Sequence, residues 1–299
     1  GKKQLQAVVV QNEQGEEEQI PCDRCVLAIG HSARDTFEEL KREGIEMEAK
    51  PFAVGVRVVH SQKKINEIQY GKDDETLPAA DYKLTGKTAD GRGVYSFCMC
   101  PGGYVVNASS EVGRTVVNGM SDHARDSGYA NSAIVVTVDE RDYGREDVLA
   151  GMEFQRRIEE RTFEEGKGKI PVQRFEDFVR GVPSGELGEG VPYSKGEIVP
   201  ADVKKILPSY ISDGIMEGME QFGRKMKGFD AANTLILGTE TRTSSPVRIV
   251  RNAEFESESL RGVYPCGEGA GYAGGIMSAA MDGLRVAVQI VSERNQEEK

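Results

Sequence analysis

A chain of 299 residues is long enough for about two domains. Its hydrophobic fraction of 38% and charged fraction of 29% are those of an ordinary soluble globular protein. The net charge of −11 argues against a general nucleic-acid binder or an anionic-membrane binder, since both need a cationic face, and leaves room for a local basic pocket.

In chain order, Leu5–Val10, a polar turn at Asn12–Gly15 and a returning segment near Gln19 predict a β-hairpin. Val26–Ile29, stopped by Gly30, predicts a short buried strand, and Thr36–Glu43 a short helix with Asp35 as its N-cap. Phe52–His60 sets Phe52, Val54, Val56 and Val58 against smaller or polar residues and predicts a strand. Ser61–Val138 is punctuated by Gly and Pro, with Tyr104–Asn107 and Ile134–Val138 as its clearest strands. Arg145–Glu165 turns helical, with Val148, Met152, Gln155 and Ile158 near one face. Pro183–Pro200 reads as a loop, and Pro200–Phe229 as helix interrupted by Pro208. Thr234–Gly238 and Val247–Val250 are further strands. Gly262–Cys266 predicts a strand, Gly267–Gly275 a glycine-rich turn, and Ile276–Val291 a helix with Met277, Met281, Leu284, Val288 and Val291 on one face. The charged tail Glu293–Lys299 is expected to fray. No repeat of fixed period and no low-complexity tract interrupts this order.

No apolar run is long enough to cross a bilayer, and Leu5–Val10 is too short for a signal core. Five cysteines, an odd number in a long chain, fit a reducing cytoplasm better than a disulfide scaffold. With no initiator Met and a strand pattern from Gln4, we expect the chain to begin inside a larger protein, with Gly1 a tag remnant.

Gly269-Ala-Gly-Tyr-Ala-Gly274 matches G-x-G-x-x-G between a strand and a helix, a dinucleotide signature. A Rossmann unit needs a further strand carrying a ribose-binding acid, and only eight residues follow Val291, so the literal NAD reading fails on length. What remains is a helix start with bare amides, close backbone approach, and Glu268 able to accept from a sugar-like hydroxyl. A packing turn is the plain alternative; Gly267, Gly269, Gly271, Gly274 and Gly275 are more than such a turn needs.

Cys22-x-x-Cys25 and Cys98-x-Cys100 invite a zinc reading, but the second spacing is tight and Cys25 abuts a strand. We expect structural thiols, ahead of a metal site or a redox dithiol. Around Pro101, Gly102 and Gly103 two readings stay open: a turn presenting amides to a ligand, or a β-turn with Cys98 and Cys100 on one face of the preceding strand. In Thr239–Pro246, Arg242 is a candidate fixed positive charge able to clamp a carboxylate; the alternative is a solvated loop with Arg242 paired to Glu240. His31, His60 and His123 are expected to be structural, although His31 adjoins Gly30.

Tyr264–Leu284 resembles the closing FAD motif of two-dinucleotide-fold flavoproteins, and Val26–His31 the short strand-to-glycine motif ahead of their inserted domain. Gly30–Thr36, Lys50–Arg57, Ser96–Gly103, Asn118–Ser121 and Glu240–Arg248 together resemble a family of bacterial FAD-dependent (NAD/FAD-utilizing) dehydrogenases, over nearly the whole chain. The family's N-terminal pyrophosphate-binding loop is absent.

The resemblance implies an α/β and α+β fold: a partial, glutathione-reductase-like FAD domain from residues 1–50 and 235–299, with a mixed β/α substrate or partner domain, 51–234, inserted. It implies flavin contacts at Gly30, His31, Gly267, Glu268, Gly269, Gly274, Gly275 and Ile276. Pro101, Gly102, Gly103, Thr241, Thr243, Ser244 and Ser245 would border the substrate, with Arg242, Cys98 and Cys100 as catalytic candidates and no base or metal assigned. The parent would be a cytoplasmic oxidoreductase passing electrons or hydride through FAD, with NAD(P)H or another carrier as its electron partner. The isolated piece is expected to lack FAD and activity, and its truncated core to be exposed and able to form a homodimer. A non-catalytic binding or scaffold module is the alternative.

Overall fold

The computed structural model describes residues 3–72, 74, 76–185, 187 and 194–297. The chain divides into two units, each assembled from separated stretches: unit 1 from 1–52, 139–153 and 244–299, and unit 2 from 53–138 and 154–243. Residues 139–153 thus join unit 1, although they sit inside the stretch that the sequence assigns to the inserted domain.

In chain order, unit 1 begins with β1 (Lys3–Gln4), β2 (Ala7–Gln11), β3 (Glu17–Pro21), β4 (Cys25–Leu27), α1 (Arg34–Arg42) and β5 (Met47–Ala49). Unit 2 takes most of β6 (Phe52–Ser61), then α2 (Gln62–Tyr70), β7 (Thr85–Lys87), β8 (Gly93–Cys100), β9 (Gly103–Asn107), β10 (Val117–Ser121) and β11 (Tyr129–Val138). The chain returns to unit 1 for α3 (Glu140–Tyr143) and the start of α4 (Ala150–Gly166). Unit 2 resumes with the rest of α4 and β12 (Ile170–Arg174), α5 (Phe175–Arg180), β13 (Ser194–Lys195), β14 (Ile198–Pro200), α6 (Val203–Ile206), α7 (Ser209–Lys225) and β15 (Leu235–Glu240). Unit 1 closes with β16 (Val247–Ile249), β17 (Leu260–Arg261), β18 (Val263–Pro265) and α8 (Ile276–Glu297).

Unit 2 is built on a seven-stranded mixed sheet in the order β14-β12-β15-β6-β11-β8-β7. Its central strand β6 is buried on both faces from Phe52 to His60, so the small and polar residues between its valines are buried with them. Helix α7 packs Ile211, Ile215, Met219 and Phe222 inward at helical spacing. Gly214 and Gly218 let its backbone close on the sheet: a methyl at either position would run into Val136 or Val94. Part of the expected Pro183–Pro200 loop lies outside the described residues; the remainder includes β13 and β14, paired to β9 and β12.

Unit 1 pairs β4 with β18 and β1 with β17, both parallel, and β5 with β16 antiparallel; β2 and β3 form the expected hairpin. Phe37, Ile45, Leu149, Met152, Val247, Ile249 and Ala270 form its core, and each larger side chain contributes ~1.5–3 kcal/mol on burial. An apolar cleft of about 780 Å³ opens beside Leu5, Val9, Leu27, Leu40 and Ile45.

Three local expectations change. Helix α1 starts after Ala33, and Asp35 falls in its first turn, where it accepts from the Thr36 amide and complements the helix dipole without capping it. Val26 is exposed; among the described residues β4 pairs with β18 alone. On α8 the expected apolar stripe turns outward: Met277 is 74% exposed, Leu284 68% and Val288 66%. The buried side of that helix is formed instead by Asp282 and Val286, with Val286 packing on Tyr264 and Cys266. Among the described residues no helix is long and apolar enough to cross a membrane.

Candidate functional site

In unit 1, the parallel strands β4 and β18 end at the same edge, and each runs into a glycine turn there. The two turns touch. A Cβ on Gly269 would lie 2.4 Å from the Gly30 carbonyl, so only glycine permits this approach. Gly267 (φ +78°) and Gly271 (φ +87°) take left-handed conformations that shape the second turn. In open α/β sheets the carboxyl edge of parallel strands is where ligands bind.

The turn is held from behind. Arg251 forms a two-pronged ion pair with Asp282 of α8 (2.6 and 2.9 Å) and donates to the Pro265 carbonyl, while the Gly267 amide donates to Asp282 (2.8 Å). Burial alone would raise the Asp282 carboxyl; Arg251 and the Gly267 amide hold it below the usual carboxylate value. The Arg251 guanidinium lies 3.6 Å from the centre of the Tyr272 ring, and the Tyr272 hydroxyl reaches the Ile249 carbonyl. These contacts fix the start of α8 without filling the space in front of it.

That front is open. A Cβ at Gly274 or Gly275 would meet nothing within 4 Å, and Ile276 is 89% exposed. At the start of this 22-residue helix the Gly274 amide donates to Ser278 Oγ (3.2 Å) and the Ala279 amide to the Gly275 carbonyl (2.9 Å), and the amides between them lie at the positive end of the helix dipole. Glu268 is partly exposed and accepts from His31 Nδ1 at 2.9 Å. Lys50 is half-buried; burial and then Arg248 push its ammonium down, and Glu268 pulls it back. Among the described residues the Lys50 ammonium makes no ion pair, although it lies within the electrostatic reach of Glu268. A carboxylate, a helix start and a lysine ammonium meet at this glycine-rich edge, a set that suits a ligand with both hydroxyl and anionic groups. The fold brings to this edge Gly30, His31, Gly267, Glu268, Gly269, Gly274, Gly275 and Ile276, all singled out by the sequence pattern. Lys50 and Arg248, which that pattern does not single out, lie beside them, in strings that carried the family resemblance.

In unit 2, four of those strings converge on Arg57. Its fully buried guanidinium grips Glu240 of β15 with Nε and Nη2, reaches Asn118 (2.9 Å) and Asn131 (2.9 Å), donates to the Cys98 carbonyl (2.9 Å) and lies 3.8 Å from Cys100 Sγ. Gly119 makes the room, since a Cβ there would sit 2.1 Å from Nη1. Burial opposes the charge on Arg57, but the Glu240 carboxylate outweighs it and holds the guanidinium ionised.

Arg242 has a different partner from the one expected: it forms a two-pronged pair with buried Glu159 (3.0 and 2.8 Å) and reaches Ser110, while Glu240 belongs to Arg57. Its charge is therefore committed inside the unit. The hydroxyls of Thr241, Thr243 and Ser245 are buried on Glu159, the Ala53 carbonyl and the Val247 carbonyl; Ser244 is half-buried. Pro101, Gly102 and Gly103 are buried too, with the Gly102 amide on Gln62 and the Pro101 carbonyl on Ser121. Cys98 and Cys100 do not share a face. The β8–β11 register shifts between Asn131 and Ala133, and this bulge turns Cys98 out, with φ +47°, while Cys100 stays buried. His60 is buried on the Phe229 carbonyl (2.7 Å), and His123 is exposed.

Residues 51–243, which include all of unit 2, match the family described as FAD-dependent protein, C-terminal domain-like. An uncharacterized protein of Clostridium beijerinckii (strain ATCC 51743 / NCIMB 8052) is 50% identical over 279 residues, covering 92% of this chain and 52% of that protein. The chain thus spans about half the length of the curated relative it matches. With its glycine-lined edge in unit 1 and the matched region extending across unit 2, the chain belongs to the FAD-dependent protein, C-terminal domain-like family.

Proposed function

We propose that the chain is part of an FAD-dependent oxidoreductase of the dehydrogenase type. In this reading unit 1 is the flavin-bearing portion of a two-dinucleotide fold, and unit 2 is an inserted domain for a small-molecule substrate or a partner. The observation that carries it is the meeting of two glycine turns at one parallel-strand edge, with Glu268 and the start of α8 facing open space. FAD, when bound, supplies electron or hydride transfer.

The chain's own residues bind and orient. Glu268 accepts from hydroxyls of the sugar-like chain, with His31 fixing its carboxylate. Gly275 and Ile276 present amides, the Gly274 amide being taken up by Ser278 Oγ, and Gly30 and Gly269 keep the backbone close. Lys50 supplies the positive charge that Arg242, paired to Glu159, does not offer, with Arg248, paired to Glu48 (3.6 Å), beside it. The electron partner is NAD(P)H or another carrier, and the setting is cytoplasmic. FAD is retained by the complete protein and not by this piece alone.

The test uses the longer Clostridium relative. Purified at full length, it should carry stoichiometric FAD, visible as flavin absorbance. A colourless protein that cannot be loaded with added FAD would refute the reading. In a flavin-loaded protein containing this chain, Glu268→Ala and Lys50→Met should each lower flavin content while leaving the circular dichroism spectrum unchanged.

A further inference from the structure

The CxC pair in unit 2 has a geometry that a pair of packing thiols does not need. Cys98 sits on the bulge of β8 in a left-handed conformation (φ +47°) that L residues rarely adopt, and its side chain is exposed. Cys100 lies beneath it, 6% exposed, and the two thiols are within hydrogen-bonding reach of each other. Cys100 Sγ is also 3.3 Å from the Cys98 carbonyl oxygen and 3.8 Å from Arg57 Nη1. Among the described residues no group of three or more His, Cys, Asp or Glu side chains gathers to hold a metal ion. The backbone therefore projects one sulfur outward while keeping the second against it, beside a fixed cation.

We propose that Cys98 and Cys100 form a redox-active dithiol that exchanges with disulfides arriving from solvent. Cys98, the accessible thiol, loses its proton to solvent and attacks one sulfur of a small-molecule disulfide. A mixed disulfide forms on Cys98, and the first small thiolate leaves and takes a proton from solvent. Cys100 then loses its proton, and its thiolate attacks the Cys98 sulfur. The Cys98–Cys100 disulfide forms as the second small thiol is expelled. The pair is oxidised by two electrons, and one external disulfide is reduced to two thiols. Exposure makes Cys98 the attacking group and burial makes Cys100 the resolving group; the Cys98 side chain and burial push the Cys100 thiol up, and the nearby Arg57 guanidinium works against that rise. This inference stands apart from the flavin reading, since it uses only residues of unit 2 and an external disulfide.

The full chain, folded, is equilibrated with glutathione buffers of rising oxidised fraction, acid-quenched, unfolded, alkylated with N-ethylmaleimide and digested with trypsin. The peptide Gly93–Arg114 carries Cys98 and Cys100 and no other cysteine. We expect it to pass from a doubly alkylated form to an unalkylated form lighter by two hydrogens, with no glutathione attached. Cys100→Ser should trap glutathione on Cys98, and Cys98→Ser should leave Cys100 unmodified in the folded chain. Double alkylation at every buffer ratio, or glutathione remaining on Cys98 of the unsubstituted chain, overturns the proposal without reference to flavin content.

Discussion

Arg57 and Glu240 lie on the paired strands β6 and β15, offset in register (Arg57 faces Leu237 and Glu240 faces Gly55), and their charges would each be costly to bury alone. Converting Glu240→Gln leaves a guanidinium in the sheet with no counter-charge, and should lower unfolding free energy by about 3–5 kcal/mol in a urea titration. The pair Arg57→Met with Glu240→Met should cost less than the sum of the single changes, because neither charge is then stranded. A single-variant cost under about 1 kcal/mol would show that water reaches the pair. His60 makes a different prediction. Burial, opposed by its bond to the Phe229 carbonyl and aided by Lys64, lowers its pKa from 6.5 to about 4. Between those values the unfolded chain holds the extra proton and the folded chain does not. The His60 contribution is therefore complete above about pH 6.5 and is lost as pH falls toward about 4. His60→Gln should shrink the stability difference between pH 7 and pH 5 by about 2 kcal/mol, and an unchanged difference would assign that pH dependence elsewhere.

Among the elements, those that read most plainly in the sequence are those whose burial is decided locally. The β2–β3 hairpin, the all-buried β6 and the helices on either side of Pro208 follow from turn residues and periodicity. What sequence concealed was set by contacts distant in the chain. Arg242 pairs with Glu159 and not with its near neighbour Glu240, because α4 brings that carboxylate to it. Cys98 leaves the strand's alternation through a bulge against β11, which no spacing rule within β8 reveals. The glycine edge was legible because glycines mark required backbone geometry directly; Lys50 was not, because a lysine before a strand carries no such mark. In α8 the periodicity was right, and its stripe faces outward. Met277, Met281, Leu284, Val288 and Val291 alternate steps of four and three, the spacing of a two-helix seam. We expect the isolated chain to pair with a second copy through this stripe. Light scattering should show mass rising with concentration, and Met281→Glu with Leu284→Glu should return a monomer of unchanged helicity. A chain that stays monomeric at high concentration without those changes contradicts this.

For the molecule as a whole, membership in the FAD-dependent protein, C-terminal domain-like family fits a chain whose matched region covers unit 2 while the glycine edge lies in unit 1. Mixed α/β architecture was legible in the alternation of strand and helix patterns. The interleaving of the two units was harder to read, since the 139–153 segment resembles its surroundings in composition and is distinguished only by where Leu149 and Met152 pack.

That interleaving also orders events in time. Val263 is the register partner of Cys25, and Leu260 that of Lys3, so the opening strands wait for more than two hundred residues of synthesis before they can pair. Unit 2 has all of its strands once β15 emerges, while β1 and β4 still lack partners. A ribosome-bound intermediate should thus protect the amides of β6 and β11 from exchange with solvent while leaving those of β4 open, and β4 should resist a protease only once β18 has emerged.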